Sequence, residues 1–219
     1  MSKPVKTRGY NSPVRREQAA RTRRRILDAA GELFVRHGYG KTSIRQIAEL
    51  AEVAPDTVYA TFGNKARLLT ALLDLRLAPG GEASILDRPE VQAIREEQDP
   101  RRLLHLFARD YAHMSERVRP VSEVLRTAKA VEPEMAAVRD EIEGYRMQYM
   151  STVVQWLAER TDLRLPVKRA AQIVWALASP DVGRMLCDVQ RWTTNQYADW
   201  LEETLATTLL PVDHRERGT

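Results

Sequence analysis

The sequence contains one cysteine, three phenylalanines and no long apolar run. A single cysteine, Cys187, excludes an internal disulfide and any zinc or iron–sulfur site that needs several cysteines. The most apolar stretch, residues 170–178, is interrupted by Gln172 and is far shorter than the ~18 residues that a membrane helix requires. Because Asp28 and Glu32 follow the basic start, we expect no export signal. These features predict a cytoplasmic protein.

A catalytic arrangement is also missing. His105 and His113 lie eight residues apart on one predicted helix, ~12 Å along its axis, which is too far to share a metal ion. The pairs Glu96-Glu97 and Glu202-Glu203 are typical of solvated helix faces, and Cys187 is more typical of a small core residue. No glycine-rich phosphate loop is present. We therefore expect neither an enzyme nor a bound metal or cofactor.

Charge is distributed unevenly along the chain, although its formal net value is only +4. Residues 1–25 contain nine basic side chains and one acidic side chain, residues 26–76 are balanced, and residues 77–219 carry a net charge of −4. A basic arm over residues 1–20 predicts a polyanionic partner, with the acidic part facing away from it. The alternative is a solvated, disordered leader.

Helical spacing of apolar residues predicts an all-α protein with about nine helices. The first helix is expected to begin near residues 17–21. Pro79-Gly80-Gly81 is expected to divide the chain. Separate helices are expected before and after Pro120, and the longest helix is expected over residues 133–160.

Residues 43–62 have the pattern of two short helices joined by a tight turn. Ser43 and Gln46 form a capping-box sequence, and Pro55 suits the first position of the second helix. Small Ala48 allows close crossing of the two helices. This pattern predicts a helix-turn-helix, a unit that fits the major groove of DNA.

The segments 42–48, 53–59, 62–65 and 68–69, together with 26–39, closely resemble the N-terminal domain of the tetracycline-repressor (TetR/AcrR-type) family. The resemblance covers about residues 20–75, a third of the chain. It implies a homodimeric repressor that binds a pseudo-palindromic operator and is released by a small-molecule effector of unknown identity. A helical protein-interaction adaptor without operator binding is the alternative.

The same resemblance assigns domains and contacts. It implies a DNA-binding domain over residues 21–78, an effector-binding and dimerisation domain over residues 79–212, and a tail over residues 213–219. The residues it places at DNA are Thr42, Ser43, Arg45, Pro55, Asp56, Thr57, Tyr59 and Lys65. Asp56 has two interpretations, because it can accept from a cytosine amino group or complement the positive end of its helix.

The chain departs from the family pattern at three places. Glu52 stands in the turn where members usually have glycine, and Ala54 stands where they have a serine or threonine cap. The missing cap is expected to cost about 1 kcal/mol, which Pro55 partly offsets. Ala60 and Thr61 replace an aromatic residue and a histidine, which changes the base contacts.

In the C-terminal part, methionines and aromatics at helical spacing either line an effector pocket or form ordinary core. The pocket candidates are Phe107, Tyr111, Met114, Arg126, Met147, Met150 and Trp175. Arg109 and Arg146 are further candidates, with Arg126, for anchoring an acidic effector. The candidates for a dimer face, which can equally pack within one subunit, are Trp175, Met185, Trp200, Leu201 and Leu205.

Overall fold

The computed structural model describes residues 13–81, 84–128 and 134–211, and every regular element in these ranges is a helix. The helices are α1 (Pro13–His37), α2 (Ile44–Leu50), α3 (Pro55–Phe62), α4 (Lys65–Leu77), α5 (Pro89–Glu96), α6 (Pro100–Ala128), α7 (Glu134–Ala158), α8 (Val167–Leu177), α9 (Pro180–Gly183) and α10 (Thr194–Leu209). A short 3₁₀ turn (Ile85–Asp87) precedes α5, and a π-helical turn (Arg184–Val189) continues α9. The all-α prediction is confirmed.

Some expectations concern residues outside these ranges. The first twelve residues of the proposed arm and the tail at 213–219 are not among the described residues. Of the helices that are described, none combines the length and apolar character needed to cross a bilayer.

Helix α1 is longer than the sequence pattern indicates, because it begins at Pro13 rather than near residues 17–21. Residues 13–20 of the predicted basic arm are therefore helical. The Arg21–Glu17 ion pair, at 2.7 Å and four residues apart, supports this exposed first part of the helix. Gly38, at φ +80°, follows the last residue of α1.

The turn between α2 and α3 is closed by two backbone hydrogen bonds. The Val53 N–H donates to the Ala48 carbonyl at 2.9 Å, and the Glu52 N–H donates to the Glu49 carbonyl at 3.1 Å. This pair of bonds is the Schellman motif, which requires a left-handed residue where Glu52 stands. Glu52 has φ +53°, so a side chain occupies a conformation that glycine adopts without strain.

Helix α6 runs unbroken through Pro120 and is the longest helix, with 29 residues against 25 for α7. The expectations of a break at Pro120 and of a longest helix over residues 133–160 are both wrong. Buried side chains continue at steps of three or four on both sides of the proline, including Val118, Val121 and Val124. Packing of this continuous face outweighs the lost backbone hydrogen bond, which costs about 3 kcal/mol.

Helix α5 is an element that the sequence pattern does not separate from its surroundings. Arg88, at its N-cap position, is 2% exposed and donates to both oxygens of Asp110 on α6, at 2.6 and 3.2 Å. Burial disfavours the charged guanidinium, but the hydrogen bonds and charge of Asp110 outweigh this effect and raise the pKa of Arg88. This pair fixes α5 and the 3₁₀ turn to α6.

The C-terminal helices pack around α6. Helix α10 lies against it, and α7 pairs with α8. His105 Nδ1 and a Glu202 carboxylate oxygen are 2.8 Å apart at the α6–α10 contact. Leu201 and Leu205 are fully buried within the chain, in agreement with the alternative that they pack within one subunit. They pack within one subunit because α10 presents this side to its own core.

We predict that Glu52→Gly raises the free energy of unfolding by about 0.5–1 kcal/mol. Glycine removes a backbone strain of about 1–2 kcal/mol from the folded state, because it adopts positive φ without a steric clash. Its greater freedom stabilises the unfolded chain by about 0.5–1 kcal/mol, which offsets part of this gain. Urea denaturation measures the change. Glu52→Ala is the control because it also removes the weak 3.8 Å pair with Arg25 but keeps the strained backbone. Equal stabilisation by alanine would contradict the backbone explanation.

Candidate functional site

Helices α2 and α3 present a polar face to solvent. Arg45 on α2 and Pro55, Asp56 and Tyr59 on α3 are exposed, and Tyr59 retains 52% of its accessible surface. The opposite side buries Val58, among other residues, against the core. This division places several of the residues predicted for DNA contact on the outer surface of the helix-turn-helix.

Side chains cap the starts of α2 and α4, and α3 lacks such a cap. The Ser43 hydroxyl accepts from the Gln46 N–H at 3.2 Å, and the Gln46 side chain accepts from the Ser43 N–H at 2.8 Å, which confirms the capping box. Asn64 caps α4 by accepting from the Arg67 N–H at 2.8 Å. Helix α3 begins at Pro55 without a side-chain cap from Ala54, as the departure from the family pattern predicts.

Thr42 faces inward, in contrast to its predicted phosphate contact. Its side chain is 2% exposed and its hydroxyl lies within hydrogen-bonding distance of the Gly38 and Leu33 carbonyls, at 2.8 and 3.1 Å. The hydroxyl proton is thereby directed to the protein backbone. This geometry does not support a phosphate contact by the Thr42 side chain and instead gives it the role of fixing the loop before α2.

Lys65 connects the first turn of α4 to that same loop. Its ammonium donates to the carbonyls of Tyr39 and Thr42, at 3.0 and 3.2 Å, and lies 4.1 Å from the centre of the Tyr39 ring. An ammonium has three N–H donors, so these two bonds leave one for a further acceptor such as a phosphate. Lys65 therefore positions the start of α2 as well as presenting positive charge.

A cleft of about 500 Å³ separates the first part of α1 from α3. Arg15 and Arg23 line it from α1, and Thr57 and Thr61 line it from α3. The Arg23 guanidinium also lies 4.5 Å from the centre of the Phe62 ring. Two basic side chains of α1 are thus held beside the predicted recognition helix.

A larger cavity, of about 1300 Å³, lies between α4, α6, α7 and the chain from Trp175 to Arg184. Among the pocket candidates, those that line it are Tyr111, Met114, Arg126, Met150 and Trp175. Two candidates do not line it. Phe107 is fully buried and packs against the Tyr111 and Tyr149 rings, and Met147 is only half-buried outside the lining. Phe107 therefore packs as ordinary core, which was the alternative to a place in the pocket.

The three arginines predicted to anchor an effector already have partners. Arg109 pairs with Asp199, and Arg126 pairs with Glu123 at 2.5 Å. Arg146 donates to the carbonyls of Trp175 and Ala178, at 2.6 and 2.8 Å. Of these three, Arg126 and Arg146 line the cavity.

Two other arginines in the cavity wall, Arg119 and Arg184, were missed by sequence reasoning. Both have buried nitrogen atoms without a hydrogen-bond partner. Arg119 precedes Pro120 and therefore lay at an expected helix boundary, and Arg184 begins the π-helical turn. Helical periodicity gave no signal at either position.

Burial raises the pKa of three tyrosine and cysteine side chains in the C-terminal part. It raises the pKa of the Tyr111 and Tyr149 phenols, which therefore stay neutral and able to donate. Burial also raises the pKa of the Cys187 thiol, which favours its unreactive protonated form.

The remaining dimer candidates differ in exposure. Met185 keeps 47% of its accessible surface, whereas Trp200 is half-buried and stacks on Tyr197 with ring centres 6.0 Å apart. Trp175 is half-buried in the cavity wall. Of the five candidates, Met185 is therefore the most accessible to a second subunit.

Comparison with known proteins places these features in context. Residues 26–72 match the family described as bacterial regulatory proteins, tetR family. The probable HTH-type transcriptional regulator ArpR of Pseudomonas putida is 28% identical over 196 residues, which cover 81% of this chain and 90% of that protein. The match therefore extends well beyond the helix-turn-helix.

Two solved structures share the fold. NalD, described as the secondary repressor of the MexAB-OprM multidrug efflux pump in Pseudomonas aeruginosa, aligns with a TM-score of 0.67 at 23% identity over 89% of this chain and 98% of its own. FadR from Bacillus subtilis, solved with stearoyl-CoA, aligns with a TM-score of 0.65 at 20% identity, covering 83% of this chain and 96% of its own.

We predict that Tyr59→Phe weakens binding to all duplex DNA sequences by at least about tenfold, because it removes a hydroxyl that can donate to a charged phosphate. Folding stability should not change, since the ring is exposed. Fluorescence anisotropy measures the affinity and thermal denaturation the stability. Tyr145→Phe is the matched control, because Tyr145 is 64% exposed on α7. An unchanged affinity of Tyr59→Phe would remove Tyr59 from the interface.

We predict that Lys65→Ala lowers both stability and DNA affinity. The loss of two charge-assisted hydrogen bonds and a ring contact should reduce the free energy of unfolding by about 1–3 kcal/mol. Loss of one phosphate contact should reduce the slope of log affinity against log salt by about 0.9. Lys168→Ala, which removes an exposed lysine of α8, should change neither quantity. Unchanged stability of Lys65→Ala would show that its bonds to the loop are unimportant.

Proposed function

Because the chain belongs to the tetR family of bacterial regulatory proteins, we propose that it is a homodimeric repressor that a small-molecule effector releases from a pseudo-palindromic operator. As a helix-turn-helix transcriptional regulator, it binds DNA. The observation that carries the proposal is the α2–α3 unit, whose turn is closed by backbone bonds and whose polar face is exposed. We place its action in the cytoplasm, where operator DNA is accessible.

In the proposed complex, α3 enters the major groove. Arg45 and Thr57 face base edges or the adjoining backbone, and Tyr59 and Lys65 donate to phosphates. Asp56 lies in the first turn of α3. It either accepts a hydrogen bond from a cytosine amino group or complements the positive end of the helix dipole. Pro55 and Ser43 lie at the exposed helix starts that approach the DNA backbone.

The α1 cleft extends this interface. Arg15 and Arg23 of α1 lie beside α3, so two basic side chains of this helix are next to the recognition helix. This arrangement adds non-specific attraction to DNA and increases the association rate. The net negative charge of the remaining chain favours an orientation with α6 to α10 away from the duplex.

The small size of one helix-turn-helix favours dimerisation. One short helix provides only a single module of contact, about 600–1,000 Å², and two linked modules bind with higher effective affinity. We propose that exposed Met185 and half-buried Trp200 contribute to contact between subunits. An inverted repeat in the operator would mirror the twofold axis of this dimer.

The large cavity supports effector control, because one of its walls is α4. Thr70, Leu73 and Leu77 of α4 line the cavity, and Lys65 at the other end of the same helix holds the loop before α2. A ligand that shifts α4 would therefore move the two DNA-reading units of a dimer. By linkage, a ligand that favours such a conformer must bind less tightly when operator DNA is present.

Selection of bound duplexes from a random-sequence pool tests this proposal. We expect enrichment of an inverted repeat with half-site centres about 10 base pairs or a multiple of a helical turn apart. Arg45→Gln should abolish or alter the consensus, and Arg169→Gln, an exposed arginine of α8, should preserve it. Failure of the unmodified protein to enrich an inverted repeat would contradict the proposal and favour the adaptor alternative.

A further inference from the structure

The buried polar groups that lack partners are concentrated around the large cavity. In the part of the chain that the structure describes, five buried side-chain nitrogen or oxygen atoms have no hydrogen-bond partner. They belong to Arg119, Tyr149, Trp175 and Arg184, and all four residues line the cavity. Each atom is a hydrogen-bond donor, and leaving such groups buried without an acceptor is unfavourable.

Arg119 has the geometry that suits a carboxylate. Its Nη1 donates to Asp188 at 2.8 Å, whereas Nε and Nη2 have no partner. These two nitrogens form one edge of the planar guanidinium, and this edge donates two parallel hydrogen bonds to the oxygens of a carboxylate. The Arg119 guanidinium is thus fixed by its bond to Asp188, while its opposite edge lacks hydrogen-bond acceptors.

Arg184 lies at the same junction between α6 and α9. A Cβ placed on Gly183 would come within 2.9 Å of the Ser115 hydroxyl, which shows how closely the two helices approach. Arg184 follows Gly183 directly, and Arg119 lies one helical turn after Ser115 on α6. Two positively charged side chains with unpartnered nitrogens therefore border one end of the cavity.

The other walls supply apolar contact and define an orientation. Leu73, Met114 and Met150 offer apolar surface to a bound molecule. Acidic side chains also line the cavity on more than one side. Asp74 and Glu141 lie on α4 and α7, and Glu123 and Asp181 lie near the α6–α9 end, where Glu123 is paired with Arg126. The unpartnered guanidinium nitrogens of Arg119 and Arg184 therefore favour an anionic group at the α6–α9 end.

We infer that the cavity binds an amphipathic carboxylic acid, with its carboxylate on the Nε–Nη2 edge of Arg119 near Arg184 and its apolar body between α4, α6 and α7. This inference rests on the proposed effector function and names the chemical class of the effector. The donor atoms are shielded from solvent, so binding requires small rotations of the side chains that cover them. The carboxylate of the acid accepts charge-assisted hydrogen bonds from donors that otherwise have no acceptor.

Three probes with the same alkyl chain but different head groups measure how much the carboxylate contributes to binding. Isothermal titration of the full chain at neutral pH with decanoate, decanol and decylammonium should show decanoate binding at least about tenfold more tightly than the other two. Arg119→Gln should abolish this preference, and Arg119→Lys should retain only part of it, because lysine keeps the charge without the planar edge.

Arg117→Gln is the matched control, since Arg117 is exposed on the same helix, and it should keep the full preference. Circular dichroism establishes that each variant is folded, and Arg184→Gln provides a second variant that should weaken decanoate binding. Equal or tighter binding of decanol or decylammonium, binding of none of the probes, or an unchanged preference in folded Arg119→Gln would overturn the inference.

Parallel measurement of release from the selected operator separates this inference from the proposed function. If decanol or decylammonium binds better than decanoate and releases the DNA, the carboxylate assignment fails and effector control stands. If decanoate binds with the expected dependence on Arg119 but the DNA remains bound, the carboxylate assignment stands and effector control fails.

Discussion

The buried face of α6 is the constraint on which the rest of the structure depends. This helix contacts α1, α4, α5, α7, α9 and α10, so it forms part of both the DNA-binding and the C-terminal core. Its apolar positions continue through Pro120 without a break. A helix that tolerates an internal proline in order to keep one continuous face must gain more from that packing than it loses in backbone hydrogen bonding.

Helix α4 is the physical connection between the two ends of the molecule. Its first residue, Lys65, is bonded to the loop that precedes α2, and its later residues line the cavity. The loop itself is held by the inward-facing Thr42, whose hydroxyl lies against the end of α1. A displacement of α4 would therefore act on this loop through contacts that already exist.

The DNA-binding part was predictable from the sequence because its determinants are local. The capping box of Ser43 with Gln46 and Pro55 at a first helical position each depend on residues within one helical turn. Glu52 was identified as a departure from glycine, and the structure gives its consequence as a left-handed backbone.

The cavity and the helix boundaries were less predictable because they depend on contacts distant in sequence. Periodicity cannot show whether Phe107 or Tyr111 faces the cavity, since both lie on the buried side of α6. The sequence likewise indicated Arg126 and Arg146 as effector anchors rather than Arg119. In the structure these two arginines already donate hydrogen bonds within the protein, whereas Arg119 has nitrogens without a partner. Which donor lacks an acceptor is a property of the packed chain. The helix break expected at Pro120 was wrong for a similar reason, because tertiary packing overrides the low helix propensity of proline.

The placement of Trp175 gives the protein an internal optical probe. All four tryptophans, at positions 156, 175, 192 and 200, follow α6 in the sequence, and the DNA-binding helices contain none. The Trp175 ring lies beneath the Arg146 guanidinium, 4.3 Å from its centre, in the wall of the cavity. Tryptophan fluorescence, excited at wavelengths that tyrosine does not absorb, therefore arises only from the part of the chain after α6. A change in the contribution of Trp175 reports occupancy of the cavity without any label on the DNA-reading surface.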